Sequence, residues 1–469
     1  MDRTEMSNSS IFLYGPPACG KTTLGARLAA ALRLPAIDLD AEIARRAGRP
    51  IPEIFRTDGE PAFRRLESET LRAVVEGLGG AQAVISLGGG TLLDASNRAF
   101  AGDNGRVWLL EPPPPAELAR RIAIDPASRP LGDKYEERRA HYGSFQSSIA
   151  MSFDLPDSLV VVGRNLGGAA GMAKFAVADS NVARIHHAAL ADIPHFGIPN
   201  GEQFKRLDTV SSIWGAFREA QIGRKDSILA FGGGVTGDMA GFAAATWMRG
   251  IRWVNIPTTL LSMVDASTGG KTGFDLPEGK NLVGAFHSPS LVIIDTSYLA
   301  TLPARELASG QAEMIKHETI SGSLRHSVSG IPTPAEIAEN LSVKVGIVRQ
   351  DPREEKGLRM LLNCGHTIGH AVEAASGYQL SHGEAVAIGC VEEARLAVRL
   401  GLARANWPDA LAGRFREAGL PVSAPQFPLE SLVPIMGRDK KRAGSRISFA
   451  LPCGFGDVRI VTLDIGEIA

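Results

Sequence analysis

The sequence lacks the features of a membrane, secreted or nucleic-acid-binding protein. Among its 469 residues no unbroken apolar run is long enough to span a bilayer, and its first residues lack the apolar segment of a secretory signal. The formal net charge is only −1, so no overall basic field attracts nucleic acid or an anionic membrane surface. We therefore expect neither nucleic acid nor a membrane among its partners.

Cysteine is also scarce. The four cysteines (Cys19, Cys364, Cys390 and Cys453) are scattered along the chain without paired spacing. This pattern is typical of reduced thiols and not of a disulfide framework, so we expect a cytoplasmic protein. A chain of this length corresponds to two to four domains, each large enough to bury a sizeable core.

A glycine-rich stretch in the middle of the chain indicates a nucleotide site. The apolar run at 227–231 predicts a buried strand, a glycine triplet follows at 232–234, and the small residues after Asp238 predict a helix. In this arrangement backbone N–H groups and a helix N-terminus can approach a pyrophosphate. A tight turn explains a lone triplet about as often. Further polar residues follow in loop-like surroundings: Asp265, Lys271, Lys280 and Asn281.

A second stretch offers ligands for a metal ion. His366 and His370 are four residues apart and share a helix face, and His382 starts another helical segment. Glu313 comes from far upstream. Two histidines and one carboxylate, with one position left open, form the ligand set of a catalytic Zn²⁺ site, although an HxxxH pair alone is more often structural.

The N-terminal part contains a phosphate-binding loop. A short apolar strand at 9–14 leads into Gly15–Thr22, which has the G-x-x-x-x-G-K-[ST] pattern, and a helix follows. The loop amides can wrap phosphates, Lys21 can reach the outer ones, and Thr22 can offer its hydroxyl to Mg²⁺. Ala18 stands where the commoner version has glycine, which predicts a slightly stiffer loop.

Acidic and basic residues follow this loop. Residues 36–40 predict a strand that ends in two acids, and alternation places Asp38 and Asp40 on the same side of it. One acid could bind Mg²⁺ and the other could hold a substrate hydroxyl. It is equally consistent with the sequence that both are solvated acids in a turn. A helix is predicted to begin near Asp58. Later candidates for an anionic substrate are Arg64, Gly88, Gly89, Gly90, Arg129 and Arg138.

Residues 8–162 resemble shikimate kinase in the Walker loop and in the Asp-x-Asp, Phe-Arg-Arg and Gly-Gly-Gly motifs. The resemblance implies that ATP and Mg²⁺ bind at Gly15, Gly20, Lys21, Thr22, Asp38 and Arg129. It implies that shikimate binds at Asp40, Arg64, Gly88, Gly89, Gly90 and Arg138. Asp40 and Arg129 would be catalytic. Gluconate kinase is the close rival, and the Asp-x-Asp and Phe-Arg-Arg motifs argue against it.

Residues from about 175 to 469 resemble 3-dehydroquinate synthase, an NAD-dependent enzyme of the shikimate pathway. The motifs of this family occur in the family's order along the chain and are far apart, which makes the match specific. The resemblance implies Zn²⁺ or Co²⁺ on Glu313, His366 and His382. It implies that NAD binds at Asp179, Asn181, Glu202, Lys205, Gly233, Gly234, Val235, Asp238, Thr258, Thr259, Asp265 and Lys280.

The same resemblance implies the substrate, 3-deoxy-D-arabino-heptulosonate 7-phosphate. This compound is cyclised to 3-dehydroquinate with loss of phosphate, while NAD takes and returns a hydride. Lys271, Lys316 and His370 would be catalytic, and Arg249 would reach in from the second subunit of a homodimer formed through the synthase part. The implied substrate-binding residues are Arg249, Lys271, Asn281, Lys344, Arg359, Asn363, His370 and Lys440.

The expected fold is α/β. We predict a P-loop kinase domain with a parallel sheet (8–162), a linker (163–173), a Rossmann-like NAD-binding part (174–301) and an α-helical metal- and substrate-binding part (302–469). The glycine-rich linker predicts a flexible junction. The terminal helix usual in shikimate kinases is shortened or missing, and the synthase family's initial β-hairpin has no clear equivalent. We therefore expect the two halves to compensate for each other by packing as one unit.

The two resemblances together predict a bifunctional enzyme whose partners are small molecules: shikimate, ATP and the heptulosonate phosphate. One alternative is that only the synthase half is active and the kinase half is a structural or interaction module. The shortened junction motivates it, while the intact Lys21, Asp40 and Glu313 oppose it. A second alternative for the C-terminal half is a metal-dependent polyol dehydrogenase or a related sugar-phosphate cyclase.

Overall fold

The structure, a computed structural model, describes residues 10–124, 134–167, 171–190, 193–436, 442–443 and 446–468. The strands in these residues are β1 (Ser10–Tyr14), β2 (Ala36–Asp38), β3 (Val84–Ser86), β4 (Gly105–Leu110), β5 (Ser148–Leu155), β6 (Ser158–Arg164), β7 (Phe175–Asp179), β8 (His195–Ile198), β9 (Ser227–Gly232), β10 (Arg252–Pro257), β11 (Lys271–Leu276), β12 (Gly279–Phe286), β13 (Leu291–Asp295), β14 (Arg442–Ala443), β15 (Arg446–Gly454) and β16 (Asp457–Asp464).

The helices of the same residues alternate with these strands in the first two thirds of the chain. They are α1 (Lys21–Leu32), α2 (Leu39–Ala47), α3 (Ile51–Gly77), α4 (Ala95–Asn104), α5 (Pro115–Ile124), α6 (Lys134–Gly143), α7 (Ser180–Ile185), α8 (His187–Leu190), α9 (Leu207–Glu219), α10 (Gly234–Thr246), α11 (Ala304–Ser321), α12 (Pro334–Gln350), α13 (His366–Ala375), α14 (His382–Arg399), α15 (Trp407–Glu417), α16 (Leu429–Met436) and α17 (Ile465–Ile468). Within the described residues, no helix combines the length and the apolar character that crossing a bilayer requires.

Eleven of the described strands form one continuous sheet, in the order β2-β3-β1-β4-β5-β6-β13-β10-β9-β7-β8. The neighbouring strands run parallel except β5 and β6, which form an antiparallel hairpin. A parallel sheet is covered on both faces, so its strands need near-continuous apolar runs. β9 and β13 show this, because every residue in them is buried. The predicted α/β fold with parallel sheets is confirmed.

The β5–β6 hairpin belongs to both halves of the chain. β5 pairs with β4 of the N-terminal half, and β6 pairs with β13 of the C-terminal half from Leu159↔Leu291 to Gly163↔Asp295. Helix α12 of the C-terminal half packs against both hairpin strands. The expectation that no hairpin precedes the first C-terminal strand is therefore wrong. The expectation that the two halves pack as one unit is confirmed.

The glycine-rich junction is held in place where the structure describes it. Its first two residues belong to β6, and the backbone N–H groups of Asn165 and Leu166 each donate to the Asp295 carboxylate at 2.8 Å. Trp108 donates its indole N–H to the Leu166 carbonyl at 2.9 Å. The expected flexibility is wrong for residues 163–166, because their polar backbone groups have partners inside the fold.

Beyond Pro303 the chain is mostly helical, as predicted, and it also contains a three-stranded sheet of β14, β15 and β16 that the sequence did not predict. Capping boxes set two of the helix starts. Thr333 caps α12, and Ser381 caps α14 with Glu384 in return. The second box makes His382 the first residue of α14, which directs this histidine towards the site described next.

Two candidate active sites

A large cavity lies between the C-terminal part of the sheet and the helices that follow it. Its volume is about 1440 Å³, above the roughly 300–1000 Å³ of ordinary ligand pockets. The carboxyl ends of β7, β9 and β10 border it, where ligands bind in open parallel sheets. The following sequence-predicted residues line it: Asp179, Asn181, Glu202, Lys205, Gly233, Gly234, Val235, Asp238, Thr258, Thr259, Asp265, Lys271, Lys280, Asn281, Lys344, Arg359, Asn363, His366, His370 and His382.

The glycine triplet forms the turn between β9 and α10. Gly233 is the N-cap of α10, and no side chain caps this helix, so its first N–H groups stay available at the cavity. A Cβ atom on Gly232 would lie 2.6 Å from the Thr236 hydroxyl, and one on Gly233 would lie 3.1 Å from Thr259. The turn therefore needs glycine for packing, and it presents a helix N-terminus that can face a pyrophosphate.

Two lysines of the cavity wall are held by carboxylates. The Lys205 ammonium donates to Asp238 at 2.7 Å and to Asn281 at 2.6 Å, and Lys280 donates to Glu373 at 2.8 Å. Burial by itself lowers the pKa of each lysine. The neighbouring acids, Asp238 for Lys205 and Glu202 for Lys280 foremost, outweigh burial, so the pKa of both lysines is raised and both stay charged.

Three residues from three helices converge next to this wall. Glu313 on α11 places its Oε1 atom 3.2 Å from His382 Nε2 and 3.5 Å from His366 Nε2. The ligand atoms of all three lie within 4.8 Å of one another. Two imidazoles and one carboxylate at this spacing fit a catalytic Zn²⁺ ion or a similar metal. His370 lies close by, with its ring centroid 5.3 Å from that of His366, and is exposed.

Two other groups in the described part of the chain have ligand-like spacing, and both overlap the first. One is His370, Glu373 and His382, and the other is Asp265, Glu313 and His317. The Nδ1 atom of His317 is 2.8 Å from the Asn340 side chain, and its ring is fully buried. Burial and the Lys316 charge lower the pKa of His317 to about 4.

The electrostatics keep two members of the three-residue group, Glu313 and His366, in the form that binds a metal. Burial opposes ionisation of Glu313, but the neighbouring charges, that of Lys316 foremost, outweigh it and hold the pKa of this carboxyl below its usual range. Burial lowers the pKa of His366 far enough to keep the ring neutral, the form that can bind a metal. Burial acts in the same direction on His382, but hydrogen bonds with Glu313 and Glu373 raise its pKa to about 9.

A cluster of cations lies beyond the metal-binding group. Lys316 is almost fully buried, pairs with Glu313, and lies 3.6 Å from Asp265. Lys344 donates to the Asp265 carboxylate and, at 2.6 Å, to its backbone carbonyl. Burial would raise the pKa of Asp265, but the two lysines lower it. Lys344 of this cluster lines the cavity together with Arg359, and these two cations could bind an anionic substrate.

Some predicted synthase residues lie elsewhere. Arg249 is exposed, does not line the cavity, and has a left-handed backbone conformation with φ 66°. Its predicted role concerns a second subunit and stays a prediction. Lys440 lies outside the described residues, as does Arg129 of the kinase half.

The second site surrounds the phosphate-binding loop between β1 and α1. The Lys21 ammonium donates to the carbonyl oxygen of Gly15 at 3.0 Å and to that of the next residue at 2.8 Å. Thr22 donates its hydroxyl to Asp38 at 2.7 Å. Ala18 has φ 59°, a conformation that is strained for alanine and free for glycine. This explains why glycine is the commoner residue here.

Asp40 does not lie on the strand, so the predicted placement beside Asp38 is wrong. β2 ends at Asp38, whose carboxylate accepts the Ala41 N–H at 3.1 Å and caps α2. Aspartate is a strong N-cap residue, and this local signal ended the strand earlier than alternation suggested. Asp40 still reaches the glycine turn after β3, because a Cβ atom on Gly88 would lie 2.9 Å from its carboxylate.

Arg64 lies against the same turn. A Cβ atom on Gly90 would lie 2.8 Å from its guanidinium. The helix that contains Arg64 bends at Gly59, close to the predicted start near Asp58. Arg138 lies on α6, and Tyr142 of the same helix donates its hydroxyl to the carbonyl oxygen of Gly89 in this turn at 2.7 Å.

Sequence reasoning missed two buried acids that hold predicted site residues. Glu67 bonds Arg64 at 2.6 Å and accepts the Thr91 hydroxyl at 2.7 Å. Glu373 accepts from Lys280 and lies 3.8 Å from His382 Nδ1. Glu67 follows Arg64 by three positions on one helix, and this one-turn spacing was a usable signal. The partners of Glu373 come from other elements, so no local spacing indicates its role.

Comparison with known proteins agrees with this geometry. Residues 195–309 and 310–442 match the family models described as 3-dehydroquinate synthase N-terminal and C-terminal, and residues 17–149 match the one described as shikimate kinase. The 3-dehydroquinate synthase of Symbiobacterium thermophilum is 43% identical over 314 residues, which cover 62% of this chain and 87% of the relative. That of Thermosynechococcus vestitus is 46% identical over 278 residues, which cover 56% and 75%.

Solved structures extend the similarity. The 2-epi-5-epi-valiolone synthase of Streptomyces hygroscopicus, with NAD⁺ and Zn²⁺ bound, is 28% identical, covers 68% of this chain and 96% of its own, and has a TM-score of 0.59. A 2-deoxy-scyllo-inosose synthase with carbaglucose-6-phosphate, NAD⁺ and Co²⁺ is 26% identical, covers 63% and 88%, and has a TM-score of 0.57. The chain therefore belongs to the 3-dehydroquinate synthase family and carries a shikimate kinase domain on its N-terminal side.

Proposed function

We propose that the two sites act as separate catalysts within one bifunctional shikimate-pathway enzyme. The kinase phosphorylates shikimate with ATP, and the synthase converts 3-deoxy-D-arabino-heptulosonate 7-phosphate to 3-dehydroquinate with loss of phosphate. The main support for the synthase activity is the convergence of Glu313, His366 and His382 beside the large cavity. The glycine turn after β9 borders the same cavity. Eight relatives at 43–46% identity are 3-dehydroquinate synthases, which supports this substrate over those of the other cyclases.

The cofactors of the synthase site are NAD and a divalent metal, Zn²⁺ or Co²⁺. When bound, NAD⁺ would accept and return a hydride, and the metal would polarise the hydroxyl that is oxidised. The N-terminus of α10 offers N–H groups to the pyrophosphate, and Glu313, His366 and His382 offer the ligands. Similar structures hold NAD⁺ with Zn²⁺ or Co²⁺, which supports this assignment. The assigned NAD residues are the twelve predicted from the sequence, all of which line the cavity.

Cationic and amide side chains bind the two ends of the substrate. Lys344 and Arg359 take the carboxylate, because both are buried cations on the cavity wall. Lys316 keeps Glu313 and Asp265 ionised and serves, with Lys271 and His370, in catalysis. The phosphate is assigned to Lys271, Asn281, Asn363, His370, Lys440 and, from a second subunit, Arg249.

The kinase site also uses separate groups of residues for its two substrates, ATP and shikimate. Lys21 exchanges its bonds to loop carbonyls for bonds to ATP phosphates, and the bonded pair of Thr22 and Asp38 offers oxygen ligands to Mg²⁺. Asp40 orients or deprotonates the shikimate hydroxyl, and Arg129 closes over the phosphates. Shikimate itself is assigned to Asp40, Arg64, Gly88, Gly89, Gly90 and Arg138.

Two assays on the purified full chain test this division. We expect ATP-dependent phosphorylation of shikimate and release of phosphate from the heptulosonate substrate without net NADH. Absence of the first activity would make the N-terminal half a structural or interaction module. Net NADH formation from a simple polyol would point to a polyol dehydrogenase in the C-terminal half.

We also propose a homodimer through the synthase part and a cytoplasmic location. Arg249 is exposed and does not line the cavity of its own chain. Its proposed contact with the substrate therefore requires a second subunit, which supports the dimer. Four free cysteines support a reducing compartment. The molar mass in solution, measured by light scattering, tests the dimer: a value near 49.7 kDa would contradict it.

A further inference from the structure

We propose that the turn of the β5–β6 hairpin, Leu155–Ser158, positions Arg359 in the synthase site. The inference rests on the proposed assignment of Arg359 to the substrate carboxylate. The turn lies between the family matches, which end at 149 and resume at 195, so neither family description includes it. Its position links the kinase fold to the geometry of the synthase reaction.

The turn faces the synthase loops across a small cavity. This cavity has a volume of about 30 Å³, enough for about one water molecule. Leu155–Ser158 line one side, and Gly269–Gly270, Val348 and Pro352 line another. The Ser158 hydroxyl is buried and has no partner among the described residues. The turn and the two segments that hold Arg359 therefore line the same small cavity.

Arg359 is fixed by those same two segments. Its Nη1 atom donates to the carbonyl oxygens of Gly269 and Pro352, each at 3.0 Å. A Cβ atom on Gly269 would lie 2.6 Å from Nη2 and 3.5 Å from Val348. The guanidinium is thus packed against a backbone that has no spare room. A displacement of Gly269 or Pro352 moves the guanidinium with it.

The hairpin itself is anchored from both halves. The carbonyl oxygen of Asp154, next to the turn, accepts a hydrogen bond from Arg349 at 2.7 Å, and the Asp154 carboxylate pairs with Arg27 of α1. Helix α12, which contains Arg349, also contains Lys344 of the synthase site. The turn is therefore supported by the phosphate-loop helix on one side and by a substrate-site helix on the other, so it can transmit a defined position to Arg359.

The test loosens the turn in the full-length chain. Pro156→Gly with Asp157→Gly replaces two exposed residues and makes the turn more flexible. We expect the KM for the heptulosonate phosphate to rise about tenfold, the equivalent of one misaligned hydrogen bond. The kcat of the synthase and both kinase constants should stay within about twofold.

A matched control makes the same change in another exposed turn at the same edge of the sheet, three strands away. Arg224→Gly with Lys225→Gly, in the exposed turn before β9, should leave every constant unchanged. If the hairpin variant does not fold, Arg349→Ala takes its place, because this exposed substitution removes the hydrogen bond from α12 to the residue before the turn.

The outcomes distinguish failure of the positioning role from failure of the proposed synthase function. An unchanged KM in an active, folded turn variant would overturn the positioning role. A parallel loss of kcat and thermal stability, with the KM unchanged, would also overturn it, because that is the signature of general destabilisation. Lack of synthase activity in the unmodified chain would instead contradict the proposed function.

Discussion

Asp295→Ala tests how firmly the two catalytic halves are joined. The carboxylate of Asp295 accepts the backbone N–H groups of Asn165 and Leu166 at 2.8 Å, and it accepts the N–H of Ser297 at 3.0 Å at the start of a short helix. The residue is only 2% exposed. The substitution therefore leaves two junction amides without an acceptor, beside the seam between β6 and β13.

The magnitude follows from these lost bonds. An N–H group left unsatisfied in a buried position costs roughly 1–3 kcal/mol, and a lost helix cap costs roughly 1 kcal/mol. The Asn165 amide is only partly buried and can regain a bond to water. We therefore expect the free energy of unfolding to fall by about 3–4 kcal/mol, a large share of the roughly 5–15 kcal/mol of an ordinary domain.

The assay is urea unfolding of the full chain, followed by circular dichroism and by both enzyme activities. Because the sheet is continuous, the variant should lose both activities in one transition at a lower urea concentration. Ser297→Ala, which removes one hydroxyl bond of 2.7 Å, is the control and should cost about 1 kcal/mol. A change below about 1 kcal/mol for Asp295→Ala, or loss of only one activity, would refute the reasoning.

Four further predictions concern the sites themselves. Lys21→Ala should abolish only the kinase activity and His366→Ala only the synthase activity; loss of both from either substitution would contradict separate sites. Dialysis against EDTA should remove synthase activity and Zn²⁺ or Co²⁺ should restore it, with the metal content measured in parallel; full activity in metal-free protein would count against the metal site. Glu67→Gln removes the charge that holds Arg64, so the KM for shikimate should rise about tenfold while that for ATP stays constant; equal changes in both would indicate a structural effect. Ala18→Gly relieves a left-handed alanine and should raise the free energy of unfolding by about 0.5–1 kcal/mol; a lower melting temperature would show that the loop is not strained.

Features with a local signal could be predicted from the sequence. The phosphate-binding loop was predicted because its spacing and its strand-to-helix setting lie within one short segment, and α1 begins at Lys21 as that setting requires. His366 and His382 are the first residues of helices. The capping box at Ser381 is a local sequence signal for the helix that begins at His382. Their convergence with Glu313 is long-range, and only the family resemblance could predict it.

Features that depend on distant partners could not be predicted in this way. The residues of β5 and β6 show no sign of whether their neighbours are β4 and β13, because strand pairing is decided by tertiary contacts and not by the strand itself. The hairpin was missed for that reason. Asp40 was misplaced because alternation along a strand and an N-cap at Asp38 compete over the same few residues, and the cap prevailed.

The pairing of β6 with β13 has a consequence for the chain as it leaves the ribosome. Leu159 pairs with Leu291, which is made 132 positions later (291 − 159). At roughly 5–20 residues per second, one edge of the nascent kinase sheet stays unpaired for about 7–26 s. An open apolar edge invites pairing with other chains. We therefore expect translation speed and chaperone access in this interval to affect the yield of the enzyme, and an N-terminal half made without β13 would keep that edge exposed for its lifetime.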